Sequence, residues 1–566
     1  MLVRIDCHKL LAIYLGLFMI ATVAAQTGTI PQSGRQESYR RLLHLVQVDT
    51  EELPVKCGLG AISFAIEHRE ALSPSLQMDL RSVLSRPALQ KSRISGDYRI
   101  HYDTVATVIG DNTPAMLNPS GNRIPGSHEQ FVDSVISIIT FVSSYETATL
   151  GYDAPPPDLG QGGGPEYDIY IEDLGNLYGS TMPEVPLDNR PQGARYTSFI
   201  SIDNDFTFVL PDSNKGLPAL RVTLAHEFHH AIQLGAYAYW TDDIYYYEIT
   251  STWMEDVLYT SVNDYYQYLG PVGAHFKNPE LRFTTSNGRV EYSRCVWGHF
   301  VQKRFDRDAM RRSWVETRAV RPLQAIDNAL RAYSSSFRVA FAEWTLWNFY
   351  TNVRSDSVRY YPEGRFYPLV RQTVVDFLPP SRAISDSLRS LSARYYQVNA
   401  QLENLVLILS NINFENALNT NSTEQFPYTY NLNVNKLDDT YQSTETSIFV
   451  KLDVPDRSNW WTWGVSSRSP EGISFPNPFL ADGRGVVNIP IASQTEATGG
   501  LTIFSNSMDL VYSATVRSRF LLAPGTQVFQ WNGKTNEDQL VSSGIYIYVL
   551  EAAGRTLTGK IALLRK

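Results

Sequence analysis

Five consecutive residues, His226-Glu227-Phe228-His229-His230, constrain this chain more than any other stretch. Pro218 stands where a first helical turn tolerates proline, and Ala219, Leu220, Val222, Leu224 and Ala225 supply an apolar stripe, so residues 218–237 read as one helix carrying the run in its interior. At about 100° per residue His226 and His230 fall one turn apart on one face, close enough for both imidazoles to reach one metal ion. Zinc suits such a pair. Glu227, between them, comes near the metal without being a ligand, where a general base for hydrolysis must stand. His229 falls off that face and reads as a satisfied core side chain.

A structural zinc site takes four protein ligands, whereas a catalytic one takes three and keeps a position open. One more ligand is therefore needed. Glu248 comes eighteen residues after His230 and Glu255 seven residues later, in a stretch, Glu248-Ile249-Thr250-Ser251-Thr252-Trp253-Met254-Glu255-Asp256, that reads as the start of a second helix. Seven residues make about two turns, so the two acids share a face. Glu248 is assigned as the third ligand and Glu255 as the acceptor that holds a liganding imidazole by its other N–H, a solvated helix acid being the plainer reading of Glu255. The aromatic run Tyr237, Tyr239, Trp240, Tyr245, Tyr246 and Tyr247 reads as packing around these groups.

With these residues in place the chain resembles the gluzincins, zinc metallopeptidases in which H-E-x-x-H is followed by a liganding glutamate on the next helix. The resemblance covers residues 217–256. The aminopeptidase branch spaces two glutamates as Glu248 and Glu255 are spaced, but its Gly-x-Met-Glu-Asn strand has no counterpart here: Pro114-Ala115-Met116-Leu117-Asn118 lies too far upstream and lacks the glutamate. No carboxylate that would anchor a substrate amine is identified, which favours an endopeptidase. More narrowly, His226 to Gln233 with the downstream Trp253-Met254-Glu255-Asp256 resembles secreted bacterial metalloproteases of multidomain build. The resemblance implies one catalytic zinc, a strand-rich upper lobe and a helical lower lobe with the metal at their junction. It also implies a protein or peptide substrate laid along the strand ahead of the zinc helix, residues 196–203. A hydroxyl donor to the oxyanion is implied as well, and Tyr292, in Glu291-Tyr292-Ser293-Arg294 at a helix start, is the candidate. The chain has 33 tyrosines, so the plain alternative for Tyr292 is a structural phenol.

Length and composition set outer limits. At 566 residues and 43% apolar content the chain can bury several cores, and a net charge of −9 without a Lys/Arg run argues against a nucleic-acid partner. Arg4, His8 and Lys9, an apolar run over 10–23, and Ala24-Ala25-Gln26 read as a secretory signal peptide over residues 1–25 rather than a spanning helix. No lipidation box precedes Cys7, and no other run approaches the length of a transmembrane helix. A secreted or surface-exposed mature protein is expected. Export leaves Cys57 and Cys295 in an oxidising setting, where one disulfide between them is the simplest accounting. Lys56-Cys57-Gly58 also resembles the switch cysteine with which some matrix metalloproteases block their own zinc. That role needs the thiolate in the open coordination position, and no propeptide cleavage signal accompanies it. Asp203, Asp205, Asp242 and Asp243 flank the motif and are acids calcium would use, yet no ordered calcium loop links them.

Residues 26–96 show helical spacing at 39–48, 59–71 and 76–84 and read as a propeptide or a brace. From residue 97, alternation at 98–102, 167–172 and 196–203 predicts strands and 129–145 a helix, while the pattern beyond Glu255 is helical to about residue 350. Residues 97–380 thus make an α+β zincin-like catalytic domain. Past Pro379-Pro380 short alternating runs predict an all-β module over 381–470. In the last segment, 471–566, Phe475-Pro476-Asn477-Pro478-Phe479, the runs 501–505, 542–548 and 558–564, and Trp531-Asn532-Gly533-Lys534 resemble the C-terminal sorting domain of the bacterial type IX secretion pathway and the immunoglobulin-like fold of a flagellar hook-capping protein. That resemblance implies the secretion machinery as a partner. The expected fold class is multidomain, an α+β zincin-like catalytic domain followed by two all-β sandwich (immunoglobulin-like) domains. Two rival functions stand beside the peptidase: a surface adhesion or binding protein with a structural or vestigial metal site, and a metal-dependent hydrolase of a non-peptide substrate.

Overall fold

Apolar alternation around Tyr98, Ile169 and Ile200 builds the sheet on which the site rests. A computed structural model describes residues 34–46, 54–106, 111–376, 381–400, 403–411, 429–437, 443–452, 460–466, 474, 478–481, 485–493, 496–520 and 526–565. The expected signal peptide, Cys7 and residues 475–477 lie outside them. Six strands, β1 (Val55–Cys57), β2 (Lys91–Ser95), β3 (Tyr98–Tyr102), β4 (Tyr167–Glu172), β5 (Leu177–Pro186) and β6 (Tyr196–Asp203), pair in the order β1-β5-β6-β4-β3-β2. β1 runs parallel to β5, with Val55 opposite Leu177 and Cys57 opposite Gly179. β5 is antiparallel to β6, and β6, β4 and β3 are mutually parallel.

Because side chains alternate across a strand, neighbouring residues of β4 and β6 serve two cores. Ile169, Ile171, Ile200 and Ile202 meet α4 (His128–Ser144) through Val135, Ile139 and Val142, and α5 (Leu217–Ile232) through Leu220, Leu224 and Phe228. Tyr170 and Phe199 point the other way. They pack with Tyr39, Leu42 and Leu43 of α1 (Arg35–Leu45), Ile62 and Ala65 of α2 (Leu59–Glu67), and Leu80 and Val83 of α3 (Pro74–Leu84). α3 starts where its sequence says it should: the Ser73 hydroxyl accepts from the Leu76 N–H and Pro74 fills the first turn. Residues 34–95 therefore contribute two strands to the sheet and three helices over one of its faces.

Two strand assignments bear on the site. Extended substrate was expected along β6, but that strand is hydrogen-bonded on both sides, to β5 and β4, and offers no free edge. The strand beyond it is β5, whose outer edge carries β1. The alternation rule misses β5 because Gly179, Pro183 and Pro186 interrupt it and its first seven residues are buried on both faces.

After α5, helix α6 (Ile244–Leu258) starts four residues before Glu248, the residue expected to open it. Its residues from Ile244 to Val257 are all buried, so no amphipathic period marks its ends. The helices α7 (Val296–Arg304), α8 (Asp308–Glu316), α9 (Pro322–Arg331) and α10 (Phe337–Trp347) follow, with Phe283, Trp297 and Trp344 in mutual edge-to-face contact at their centre.

Past residue 370 the elements among the described residues are strands. β7 (Thr373–Asp376), β9 (Ser392–Ala400), β10 (Glu403–Asn411), β11 (Thr429–Leu437) and β12 (Ser443–Leu452) form one sheet, and β8 (Ser381–Ser387) pairs with β13 (Trp460–Ser466). β14 (Phe479–Ala481), β21 (Arg555–Arg565), β20 (Gly544–Ala552), β16 (Thr498–Ser505) and β17 (Leu510–Arg517) make a second five-stranded sheet, in that spatial order. β15 (Val487–Ala492), β19 (Thr526–Trp531) and β18 (Arg519–Phe520) make a three-stranded one. Ile489, Ile491, Leu501, Ile503, Phe529, Tyr548 and Ile561 share the core these two sheets supply. In the Trp531-Asn532-Gly533-Lys534 turn, Gly533 has φ +73° and a Cβ there would lie 2.8 Å from the Phe479 ring, so only glycine fits. The chain is multidomain, with mixed helices and several β-sheets, and no helix among the described residues is long and apolar enough to cross a membrane.

Candidate metal centre

α5 and α6 pack against each other with the predicted ligands at their contact. Glu248 and Glu255, two turns apart on α6, both reach His226: Glu255 Oε1 lies 2.8 Å from Nδ1 and Glu248 Oε2 3.0 Å from Nε2. His230 Nε2 is 3.0 Å from His226 Nε2 and 3.4 Å from Glu248 Oε2. Glu255, expected to hold an imidazole by its other N–H, thus lies at His226 Nδ1, on the side of the ring away from Glu248 and His230.

His230 is held by a residue that sequence reasoning missed. α5 passes into a π-helical turn, Gln233–Tyr237, and Gln233 Oε1 takes the His230 Nδ1–H at 2.7 Å. The Gln233 amide in turn donates to Thr250 Oγ1 at 2.9 Å and Ser251 Oγ at 3.1 Å on α6, which fixes its orientation. A residue three positions beyond His230 on the same helix is the signal that could have pointed to it. Gln233→Ala is expected to weaken metal binding by about 10- to 100-fold. Competition against a chromophoric chelator measures this, and unchanged affinity would deny Gln233 the role.

Both imidazoles therefore give their Nδ1 protons to side-chain acceptors and present bare Nε2 atoms to one point. Two ring lone pairs 3.0 Å apart, with a carboxylate oxygen equally close, repel one another unless a cation lies among them. Bonds of about 2.0–2.1 Å to a shared ion would set such atoms roughly 3.3 Å apart. Without a metal, a proton meets the demand. Burial pushes the His226 imidazole down, but the bonds to Glu248 and Glu255 outweigh it and carry it up to about 9. Burial likewise acts upward on Glu248, which His230 and His226 hold down to about 2. The donor set fits a divalent ion with mixed nitrogen and oxygen ligands.

Glu227 lies beside the ligands, with Oε2 2.7 Å from Thr181 Oγ1 on β5. β5 can come that near α5 because residue 179 is glycine: a Cβ there would meet Thr223 Cγ2 at 2.9 Å and Glu227 Cγ at 3.1 Å. Oε1 of Glu227 and Oε1 of Glu248 are buried and have no hydrogen-bond partner. Burial raises the Glu227 carboxyl above its ordinary range, against the pull of His226 and His230. Tyr292, in the short turn Val290–Ser293, stands with its ring centre 6.3 Å from that of His226, and its hydroxyl donates to the carbonyl oxygen of Cys57 at 3.3 Å. Glu291 fixes that turn by accepting the N–H groups of Asn287, Gly288 and Arg289 at 2.8–3.1 Å.

The expected Cys57–Cys295 disulfide does not form; both cysteines are free and buried. Cys57 ends β1, accepts from the Leu59 N–H at 3.3 Å and places Sγ 3.7 Å from Glu227 Oε2. Cys295 caps α7 inside the aromatic core. The Cys57 thiol instead lies with the predicted ligands: one donor atom from each of Cys57, His226, His230 and Glu248 lies within 4.8 Å of the others, a buried group able to hold a metal ion. Lys56, beside it, is fully buried and bridges Glu255 at 2.8 Å and Asp264 at 2.6 Å.

The flanking acids are spent elsewhere. Asp203 accepts the Leu174, Asp205 and Phe206 N–H groups, Asp205 pairs with Arg123 and Asp243 with Arg321, and Asp242 lies 3.9 Å from Arg321. They do not gather into a calcium site. His229 turns from the predicted ligands to Glu146 at 2.7 Å, where burial drives the acid up and the imidazole down.

Neither a family model nor a curated protein sequence matches this chain. Among solved structures it is similar to dimeric latent PorU from Porphyromonas gingivalis, at 13% identity over 33% of this chain and 20% of that one, with a TM-score of 0.14. It is also similar to PorZ, an essential bacterial surface component of the type-IX secretion system of the same organism, at 13% identity over 35% of this chain and 26% of that one, with a TM-score of 0.13. The chain spans about a fifth of the first and a quarter of the second, and likenesses at these TM-scores carry no argument about fold or function.

Proposed function

We infer that the chain is a secreted zinc metallopeptidase, an endopeptidase by preference. The observation that carries the reading is the convergence of His226 Nε2, His230 Nε2 and Glu248 Oε2 on one buried point with the Glu227 carboxylate beside it. An ion held there supplies Lewis acidity to the scissile carbonyl and its nucleophile. The protein does the rest. Glu227 takes the proton of the attacking water and returns it to the departing amine, while Thr181 keeps the carboxylate aimed. Tyr292 donates its hydroxyl to the carbonyl oxygen as charge develops, the same kind of acceptor it holds now. Gln233 and Glu255 keep both imidazoles in the tautomer that leaves Nε2 free.

A zincin-like catalytic unit and immunoglobulin-like C-terminal modules belong to this reading, as does export through the type IX pathway with residues 471–566 as the sorting module. These rest on the motif order and the C-terminal landmarks of the sequence. The second reading, a surface binding protein with a structural metal site, is favoured by the fourth residue of the cluster, since a four-ligand site is closed. Digestion of casein separates the two, measured on the zinc-loaded chain and on its Cys57→Ser variant. Cleavage that EDTA stops is expected; no cleavage by either protein, each carrying one zinc, sinks the peptidase and leaves the binder.

A further inference from the structure

We propose that Cys57 is the fourth ligand of the metal centre and that β1 lies in the substrate groove, so that this chain, as folded, is the latent form of the enzyme. The inference rests on the metallopeptidase reading above and adds its regulation. Four observations carry it.

The Cys57 thiol shares one 4.8 Å cluster with His226, His230 and Glu248, at the corner a catalytic site would leave for its nucleophile. Glu227 Oε1 and Glu248 Oε1 are buried in the same place without partners, as groups waiting on a cation or a substrate are. The Tyr292 hydroxyl, placed to serve a reacting carbonyl, is given to the carbonyl of Cys57 itself. The edge of β5 is the one free for strand addition next to Glu227, and β1 fills it: Val55 N–H donates to the Asn176 carbonyl at 2.8 Å and Gly58 N–H to that of Gly179 at 3.1 Å.

Metal, general base, carbonyl donor and sheet edge are thus each engaged by residues 55–58. The consequence is visible in exposure. Cys57, His226, Glu227, His230, Glu248 and Tyr292 are all at most 4% exposed, so no peptide reaches Glu227 until β1 leaves. β1 is also pinned by its middle residue, since the Lys56 ammonium is buried between Glu255 and Asp264. β1 runs parallel to β5, and a substrate is free to take the opposite direction on the same edge. As the thiol binds the ion its S–H bond breaks, the proton goes to solvent and the sulfur lone pair is given to the ion; no other bond of the chain is made or broken.

The test uses the full chain loaded with cobalt(II) or zinc. The cobalt form is expected to show a near-ultraviolet thiolate-to-metal charge-transfer band that Cys295→Ser keeps and Cys57→Ser loses, with one metal per chain retained. X-ray absorption of the zinc form of the unaltered chain is expected to find one sulfur at about 2.3 Å, a measurement that needs no variant. Casein hydrolysis by Cys57→Ser is expected to exceed that of the unaltered chain by about tenfold or more, in proportion to the open fraction it restores. One metal bound without sulfur, or a band that survives Cys57→Ser, overturns the inference and leaves the peptidase reading standing. A sulfur-bound metal with no gain of hydrolysis in Cys57→Ser overturns the latency; equal EDTA-sensitive cleavage by both proteins then keeps the peptidase reading, and cleavage by neither makes the site structural. No metal bound at all overturns both.

Discussion

Glu227→Gln is expected to keep about one zinc per chain and to lose peptide hydrolysis by a factor on the order of 10²–10⁴ or more. The substitution preserves shape, and the Thr181 hydroxyl can still donate to the amide oxygen, so the surroundings of the ligands stay as they are. What disappears is the proton acceptor. The carboxylate is suited to that task because burial raises it above its ordinary range, so it binds a proton more readily at neutral pH than a solvated glutamate does. His226 and His230 pull it the other way, against burial. The rate loss is best read on the Cys57→Ser background, where occupation of the groove by β1 does not mask it. Zinc content is measured on the same samples by atomic emission. Retained zinc with undiminished hydrolysis would show that the proton goes elsewhere and end the mechanism; lost zinc would mean that Glu227 is a ligand.

The residues of the candidate metal centre were legible in the sequence to the extent that helical geometry alone brings them together. The 3.6-residue period puts His226 beside His230 and Glu248 beside Glu255, so a single helix–helix contact gathers all four, and local spacing was enough to name them. What stayed hidden came from elsewhere in the chain. Thr181 lies on a strand whose Gly179, Pro183 and Pro186 erase the alternation that reveals strands. Cys57 is 170 residues from the glutamate it touches, and no periodic signal spans that distance. Counting cysteines suggested a disulfide because it treated Cys57 and Cys295 as interchangeable thiols, whereas the fold sends one to the ligands and the other to an aromatic core. The segment 34–95 was legible as helices but not as part of the sheet, because β1 has only three residues, too few to show a period.

Lys56→Met should lower the stability of the fold around β1 by about 3–5 kcal/mol, the usual cost of removing one partner from a buried ionic group. Its ammonium has no exposed surface and stands 2.6 Å from Asp264, 2.8 Å from Glu255 and 4.4 Å from the centre of the Tyr178 ring. Methionine fills much of the same volume, so the loss is chiefly that of charge. Asp264 keeps Asn214 and Gln267 as donors, whereas Glu255 is left with His226 alone, and the damage therefore falls on the side facing the metal. Burial by itself would pull the Lys56 ammonium down, but Asp264 and Glu255 outweigh it and hold it above the ordinary lysine range. A base whose folded pKa is raised contributes its stability in full below the unfolded value of about 10.4 and loses it as the pH climbs through the folded one. The gap between Lys56→Met and the unaltered chain should accordingly be constant from pH 6 to about 9 and close only in stronger alkali. Urea denaturation across that range measures it. Because the same ammonium pins β1, Lys56→Met should also raise casein hydrolysis by the zinc-loaded chain at temperatures where it stays folded. A loss of stability with no rise in hydrolysis would mean that Lys56 braces the core without holding β1 in the groove.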